Sequence, residues 1–298
     1  MTAMIFETVN TEDGSISVRD PNTGELHHNR AGAYTEAVVN YAQPSGLLDG
    51  PVPDSIKVLD VCFGLGYNSF ALLNELARLS RLPKSLEIVA IEIDGETLKL
   101  VPHALSSARC VQVLKDTNDG AVFTTFGDKT FPFGSGCEVQ IRLINDDIRK
   151  ALPRLVAQSH ADFDVAFHDP FSPKHVPELW TVDLFSCFRK LLDKRGGRLM
   201  TYSAASGVRG GIREAGFNIW RSSALGGKTG GTVGSIGQTP ELGKCIFPID
   251  EPEMMRIDSA SGIPYRDPHF CDNADIIRTR RLEEQFDWRQ ARMSVQDS

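Results

Sequence analysis

The chain has 298 residues, of which 41% are hydrophobic and 24% charged, and a formal net charge of −7. That length holds one large domain with extensions or two small ones, and the composition is ordinary for a soluble globular protein. No apolar stretch is long enough to span a bilayer and the N-terminus lacks a basic start followed by a hydrophobic run, so a cytoplasmic protein without membrane contact is expected.

In chain order, Asp13-Gly14 and Asn22-Thr23-Gly24 are turn signals between short extended segments. Residues 1–50 are therefore expected to form a small β-meander followed by a short helix over 32–41. "QPSGLLDGPVPD" is a connector rich in Gly and Pro. From residue 56 strands alternate with helices: "IKVLDVCF", "LEIVAIEI", "VQIRLIN", "FDVAFHD" and "GRLMTYS" read as strands. The helices between them are expected to end near 79 and to cover 95–107, 147–157 and 181–192. A further one through "VRGGIREAG" leads into "FNIWRSS". Repeated βα units predict an α/β domain over 51–248, with a Rossmann-like, mostly parallel sheet covered by helices on both faces. Residues 110–137 exceed a usual connection and read as a hairpin or lid insertion. After Phe247 the hydrophobic periodicity fades, so 249–298 is expected to be an extended tail. The six cysteines are scattered, with no C-x-x-C pair. They read as reduced thiols, and no metal is expected.

The stretch "VLDVCFGLGYNSFALLNEL" has the pattern strand, glycine bend, helix. Gly64 and Gly66 permit a tight turn and close approach of a ligand, and Asn68 or Ser69 can cap the helix. A dinucleotide fold would prefer a third glycine at Ser69, and a P-loop needs Gly-Lys-Ser/Thr; neither is present. In such a sheet ligands sit beyond the carboxyl ends of the strands. There the sequence places Asp60, Glu92 with Asp94, Asp146 with Asp147, and Asp169. Glu92 suits the two hydroxyls of a ribose. Asp147 suits an adenine amino group, or equally the N-terminus of the helix it precedes. No cluster of Lys or Arg accompanies the bend to meet a pyrophosphate. S-adenosylmethionine carries an ammonium and a sulfonium but no phosphate, so the acids favour a class I methyltransferase.

The fourth strand ends in "HDPFSP". This is similar to the Asp-Pro-Pro-Tyr loop of enzymes that methylate exocyclic amines. There an Asp and a proline-fixed carbonyl accept hydrogen bonds from the amine while an aromatic ring stacks on the base. Asp169, Pro170 and Phe171 could do the same; the alternative is a turn built by Asp-Pro and Ser-Pro. An alkyl amine, with a pKa of about 10, must lose a proton before it attacks a methyl group, and a carboxylate can orient it. Trp180 reads either as a base-stacking ring or as a core anchor.

Four stretches in order resemble the MnmC-type tRNA methyltransferase family. The bend matches its acid-x-x-F-G-x-G-x-N pattern at Asp60, Phe63, Gly64, Gly66 and Asn68. The Asp-x-F-x-P loop and following Pro-acid-x-Trp-Thr are matched by Asp169, Phe171, Pro173, Pro177, Glu178, Trp180 and Thr181. Val208, Arg209, Ala215, Gly216 and Phe217 match a later motif, and His28, Gly32, Ala33 and Glu36 an early one. The chain departs from the family at His27, Asn29 and Val176. The resemblance implies S-adenosylmethionine bound by Asp60, Phe63, Gly64, Gly66, Asn68, Glu92, Asp147 and Asp169, with Asp169 catalytic. It implies a tRNA substrate, contacted by His28, Phe171, Trp180 and Arg209 and methylated on the aminomethyl nitrogen of the wobble uridine. Two-domain members carry an FAD oxidase as well; no second nucleotide-binding pattern follows here, so a methyltransferase without a fused oxidase is expected. A tRNA substrate also makes the basic run from Arg189 to Lys228, opposed only by Asp193 and Glu214, a candidate phosphate contact. The alternatives are another class I amine methyltransferase, a spermidine-synthase-like aminopropyltransferase and a non-catalytic module on the same fold.

Overall fold

The computed structural model describes residues 7–19, 24, 26, 28, 32–105, 129–133, 137–158, 162–225, 230–237 and 239–296. Most of the insertion expected over 110–137 lies outside the described residues, as do His27, Asn29 and Lys228. The chain divides into two compact units. One comprises Met1–Asp147, Phe167–Asp169 and Ala224–Lys228; the other comprises Ile148–Ala166, Pro170–Ser223 and Thr229–Ser298.

In the first unit, β1 (Glu7–Asn10) and β2 (Ile16–Arg19) pair antiparallel across the Asp13-Gly14 turn. The Asp13 carboxylate ties this hairpin to α1 (Ala33–Ala37). It accepts from the Ser15 amide (3.0 Å) and hydroxyl (2.6 Å) and from the Thr35 amide (2.8 Å) and hydroxyl (2.7 Å). Partial burial alone would raise its pKa, but the hydrogen bonds outweigh it and hold the carboxyl down at about 2. Gly32 has φ 147, and a Cβ there would lie 2.1 Å from Asp13 Oδ2, so the tie requires glycine. Beyond α1 the chain loosens and then tightens: a π-helical turn (Val38–Ala42), then a 3-10 turn (Gln43–Ser45).

Next come β3 (Ser55–Val61), α2 (Tyr67–Arg78), β4 (Ser85–Ile91), α3 (Gly95–Leu105), β5 (Lys129–Phe133) and β6 (Cys137–Ile144). β3, β4 and β6 lie side by side and parallel, with Val58 opposite Ile88 and Ile88 opposite Ile141. The apolar runs of β3 and β4 are buried, as strands covered on both faces demand: Val58, Leu59, Ile88 and Val89 have no exposed surface. α2 buries Leu72, Leu73 and Leu76 at helical spacing. β5 pairs antiparallel with β6.

The second unit contains α4 (Ile148–Ala157), the start of β7 (Val165–His168), α5 (Val182–Leu191), β8 (Arg198–Thr201) and α6 (Ser206–Glu214). These are followed by β9 (Asn218–Ser222), β10 (Thr232–Ser235), β11 (Ile246–Phe247), α7 (Glu251–Ile257) and α8 (Ala274–Gln296). β8, β10, β9 and β11 pair antiparallel in that order. The last fifty residues are not the extended tail expected from sequence, because α7 and α8 are regular helices packed within this unit. α8 is anchored by polar groups: Arg281 Nε donates to the Ile263 carbonyl (2.6 Å) and Gln285 Nε2 to that of Ala260 (2.9 Å). Among the described residues no helix is long and apolar enough to cross a membrane.

Gly32→Ala is expected to lower the unfolding free energy by roughly 2–3 kcal/mol, read by chemical denaturation. Asp13→Asn is expected to destabilise at neutral pH, with the deficit shrinking as pH falls. The depressed folded pKa of Asp13 gives stability that is present above its unfolded value near 3.8 and lost as pH falls toward about 2.

Candidate cofactor and active site

Beyond Val61 the backbone of the first unit leaves the strand through three left-handed residues: Cys62 (φ 60), Gly64 (φ 54) and Gly66 (φ 82). At Gly66 a Cβ would meet Phe63 Cζ at 2.7 Å and the Phe70 ring at 2.8 Å, whereas at Gly64 the nearest atom is 3.9 Å away. Gly66 thus closes the bend, and Gly64 leaves room for a ligand against the backbone. Gly66 also takes the N-cap position of α2, with no side-chain cap of its own. The capping expected of Asn68 or Ser69 is instead supplied from β3: Asp60 Oδ2 accepts from the Ser69 amide (3.2 Å) and hydroxyl (2.5 Å). Asn68 is thereby free to reach Asp169, its Nδ2 donating to Oδ2 at 2.9 Å. Glu92 holds the bend from β4: its Oε2 accepts from the Gly64 amide (2.8 Å) and its Oε1 from the Asp94 amide (2.9 Å). The Asp169 amide donates to the Val61 carbonyl (3.2 Å), so Asp169 lies beside the end of β3.

Burial sets the electrostatics. Asp60 is fully buried, which raises its carboxyl to about 8; the Ser69 hydrogen bonds oppose this, while Asp169 and Glu92 push it up further. Its Oδ1 is buried and without a hydrogen-bond partner. Burial also raises Glu92 against the pull of the Asp94 and Gly64 amides, and Asp169 against its hydrogen bond from Asn68. The Cys62 thiol is pushed well above its usual value by burial and then by Glu92, Asp169, Asp60 and Asp147. All four sequence-predicted acids therefore act on one point just past β3. Such a site fits a cation without phosphate, and the orphaned Asp60 oxygen supplies an acceptor for one.

Of the remaining predicted residues in this unit, Phe63 is buried near Phe70, so its side chain shapes the bend. The His28 ring stands edge-on to Tyr67, the first residue of α2, at 5.2 Å. Two residues escaped the sequence reading. Ile93 is 68% exposed directly after Glu92, with the Asn145 amide donating to the carbonyls of both (2.8 and 3.1 Å). An exposed isoleucine after a strand-end acid was its signal. Cys62 was hidden by its ordinary residue type.

The second unit holds Phe171, Trp180 and Arg209. Trp180 is fully buried, stands edge-on to Tyr202 (5.7 Å) and donates through Nε1 to the Phe171 carbonyl (2.8 Å). This corrects the base-stacking expectation, because a ring without exposed surface anchors the loop. Arg209 is 1% exposed, pairs with Glu253 (3.0 Å) and donates to Thr232 Oγ1 (3.0 Å). It is a structural cation, which corrects its reading as a tRNA contact. Arg213 likewise pairs with Asp258 (2.7 Å), an acid from outside the basic run, and Arg195 with Asp193 (2.7 Å) within it, so part of the run is offset.

Residues 112–236 match the family described as S-adenosyl-L-methionine-dependent methyltransferase. The chain is 30% identical over 275 residues to an uncharacterized protein of Methanocaldococcus jannaschii, covering 92% of this chain and 71% of that one. It is 27% identical over 218 residues to the tRNA 5-methylaminomethyl-2-thiouridine biosynthesis bifunctional protein MnmC of Cupriavidus necator, covering 72% of this chain. It spans 32% of that relative's length. The crystal structure of MnmC2 from Aquifex aeolicus superposes with a TM-score of 0.71 at 26% identity, over 95% of this chain and 86% of that one.

Two outcomes are expected. Binding of S-adenosyl-L-methionine near pH 7 releases up to one proton, because a carboxyl at about 8 ionises when positive charge arrives. Calorimetry in buffers of different ionisation enthalpy reads this release, and Asp60→Asn removes it. Arg209→Met leaves Glu253 buried and unpaired, so it destabilises the fold by roughly 3–5 kcal/mol in denaturation experiments.

Proposed function

This chain belongs to the MnmC-type S-adenosyl-L-methionine-dependent methyltransferases, and we propose that it methylates the amine of 5-aminomethyluridine, with or without a 2-thio group, at the wobble position of tRNA. The printed names of the bacterial relatives support the substrate. One observation carries the chemistry: Asp169 is fixed by Asn68 of the glycine bend and, with Glu92, Asp60 and Asp147, acts on the same point at Cys62.

When bound, S-adenosyl-L-methionine supplies a methyl group whose bond to sulfur breaks as the amine lone pair forms the N–CH3 bond. Glu92 keeps lone pairs beyond those spent on Gly64 and Asp94, and these take the ribose hydroxyls. Ile93 offers an apolar surface for the adenine, and Asp147 an acceptor for its amino group. Asp60 Oδ1 gives a buried acceptor for positive charge. Asp169, with Oδ2 engaged by Asn68, turns its remaining lone pairs to an N–H of the aminomethyl group. It orients the nitrogen and receives the hydrogen bond along which the proton departs.

Asp169→Asn keeps the shape but removes the charge. The single-turnover rate on tRNA bearing the free aminomethyl group is expected to fall about 100-fold, with cofactor affinity little changed. Near-normal turnover by the folded variant overturns the role. Methylation of small amines with none on this tRNA overturns the substrate.

A further inference from the structure

We propose that Asn145 is a positioning residue for the adenosine half of the methyl donor, its side-chain amide holding in place the backbone that carries Glu92 and Ile93. The inference rests on the reading of Glu92 and Ile93 given above and extends it to a residue that acts through them.

β4 and β6 run parallel, with Ile91 opposite Ile144 at their ends. Just past them the Glu92 amide still donates to the Ile144 carbonyl (3.1 Å). From there the ladder is continued by a side chain. Asn145, the first residue after β6, donates from Nδ2 to the Glu92 carbonyl (2.8 Å) and to the Ile93 carbonyl (3.1 Å). Both partners are pure acceptors, so the amide nitrogen must face them, and it has two N–H groups to give. One side chain thus ties two successive peptide units at the point where β4 leaves the sheet.

Those two units carry the groups assigned to the ribose and the adenine. The Glu92 carboxylate accepts from the Gly64 amide (2.8 Å) and the Asp94 amide (2.9 Å), so its place, and that of the bend it holds, follows the place of its own backbone. Ile93 is 68% exposed, so packing of its side chain does little to fix it. Asp94 anchors the far end of the turn to α3, accepting from the Glu96 amide (2.9 Å) and the Thr97 hydroxyl (2.7 Å). The turn from strand to helix is therefore pinned at its helix end by Asp94 and at its strand end by Asn145. An exposed apolar side chain and a carboxylate with spare lone pairs add most affinity when they are in place before the ligand arrives. Otherwise the ordering of the turn subtracts from binding.

Asn145→Ala removes both donors from an exposed position. Two readouts follow. In the protein without cofactor, hydrogen exchange of the Gly64 and Asp94 amides should quicken about tenfold, because the carboxylate that holds them loses its support. The Ser69 amide, which is held by Asp60 (3.2 Å), should keep its rate. In calorimetry the dissociation constant of S-adenosylhomocysteine should rise about tenfold, as expected for the loss of two ordinary hydrogen bonds. That of 5′-methylthioadenosine, which lacks the amino acid, should rise by the same factor, which places the loss on the adenosine side.

Asn145→Asp keeps the size but its carboxylate cannot donate to a carbonyl, so it should quicken the same two amides and keeps the test open if Asn145→Ala folds poorly. Tyr34→Phe is the structural control. It breaks a buried hydrogen bond in the same unit (Asn74 Nδ2 to Tyr34 Oη, 2.6 Å) and should lower the melting temperature without weakening S-adenosylhomocysteine. Unchanged exchange at Gly64 and Asp94, equal quickening at Ser69, or unchanged affinity for either ligand in the folded variants overturns the role of Asn145. Undiminished affinity in Glu92→Ala instead overturns the reading on which the proposal stands, so the two failures are distinct.

Discussion

The structure depends on gathering several carboxyl groups in one buried place and holding them with neutral donors. Asp60, Glu92 and Asp169 all have their pKa values raised chiefly by burial, and Asp60 is raised further by the other two. Each is stabilised by neutral donors: the Ser69 amide and hydroxyl, the Gly64 and Asp94 amides, and the Asn68 amide. A lysine or arginine in their place would stabilise the charges better and erase the negative potential. Dipoles keep it, and a cationic ligand then meets a site already arranged for it.

The same contacts shape the backbone. In the left-handed bend from Cys62 to Gly66 the backbone satisfies the Phe63 amide (to the Ile91 carbonyl, 3.1 Å) and the Gly66 amide (to the Phe63 carbonyl, 2.8 Å), and an acid satisfies Gly64. Asp60 fastens the start of α2, Glu92 fastens Gly64, and Asn68 fastens the end of β7. Removing Asp60 or Glu92 therefore changes geometry as well as charge. The loop beyond Asp169 is held within the second unit by a matching logic, applied to carbonyls. Tyr202 donates to Pro170 (3.0 Å), Trp180 to Phe171 (2.8 Å) and Arg278 to Lys174 (2.8 Å). Three long side chains so restrict a short proline-rich segment that little ordering remains for a substrate to impose.

Sequence alone carried much of this, for physical reasons. The apolar run of β3, the glycine pair and the helical spacing of Leu72, Leu73 and Leu76 are local signals. Strand-end acids are located by the order of elements. What escaped was tertiary. Burial of Trp180 and Arg209 cannot be told from exposure by residue type, and each is a residue that function also favours. α8 escaped because it docks through Arg281, Gln285 and Arg280 on backbone carbonyls (2.6, 2.9 and 2.6 Å), leaving only a weak apolar stripe to read. Asn68 misled as a candidate cap, because the cap came from Asp60, eight residues earlier and on another element.

Cys62 gives the last constraint. A non-glycine residue with φ 60 is costly, and here it follows β3 directly, within the field of four carboxylates. A thiolate at that point would be a strong nucleophile beside a methyl donor, competing with the amine. Burial and the surrounding negative charge push the thiol well above its usual pKa, so it stays protonated and unreactive. The carboxylates that favour a cationic cofactor thus also disarm the sulfur next to it. A basic residue introduced into this site would weaken both effects at once. The raised pKa of the thiol and the fit of the site to a positively charged ligand therefore have one electrostatic origin.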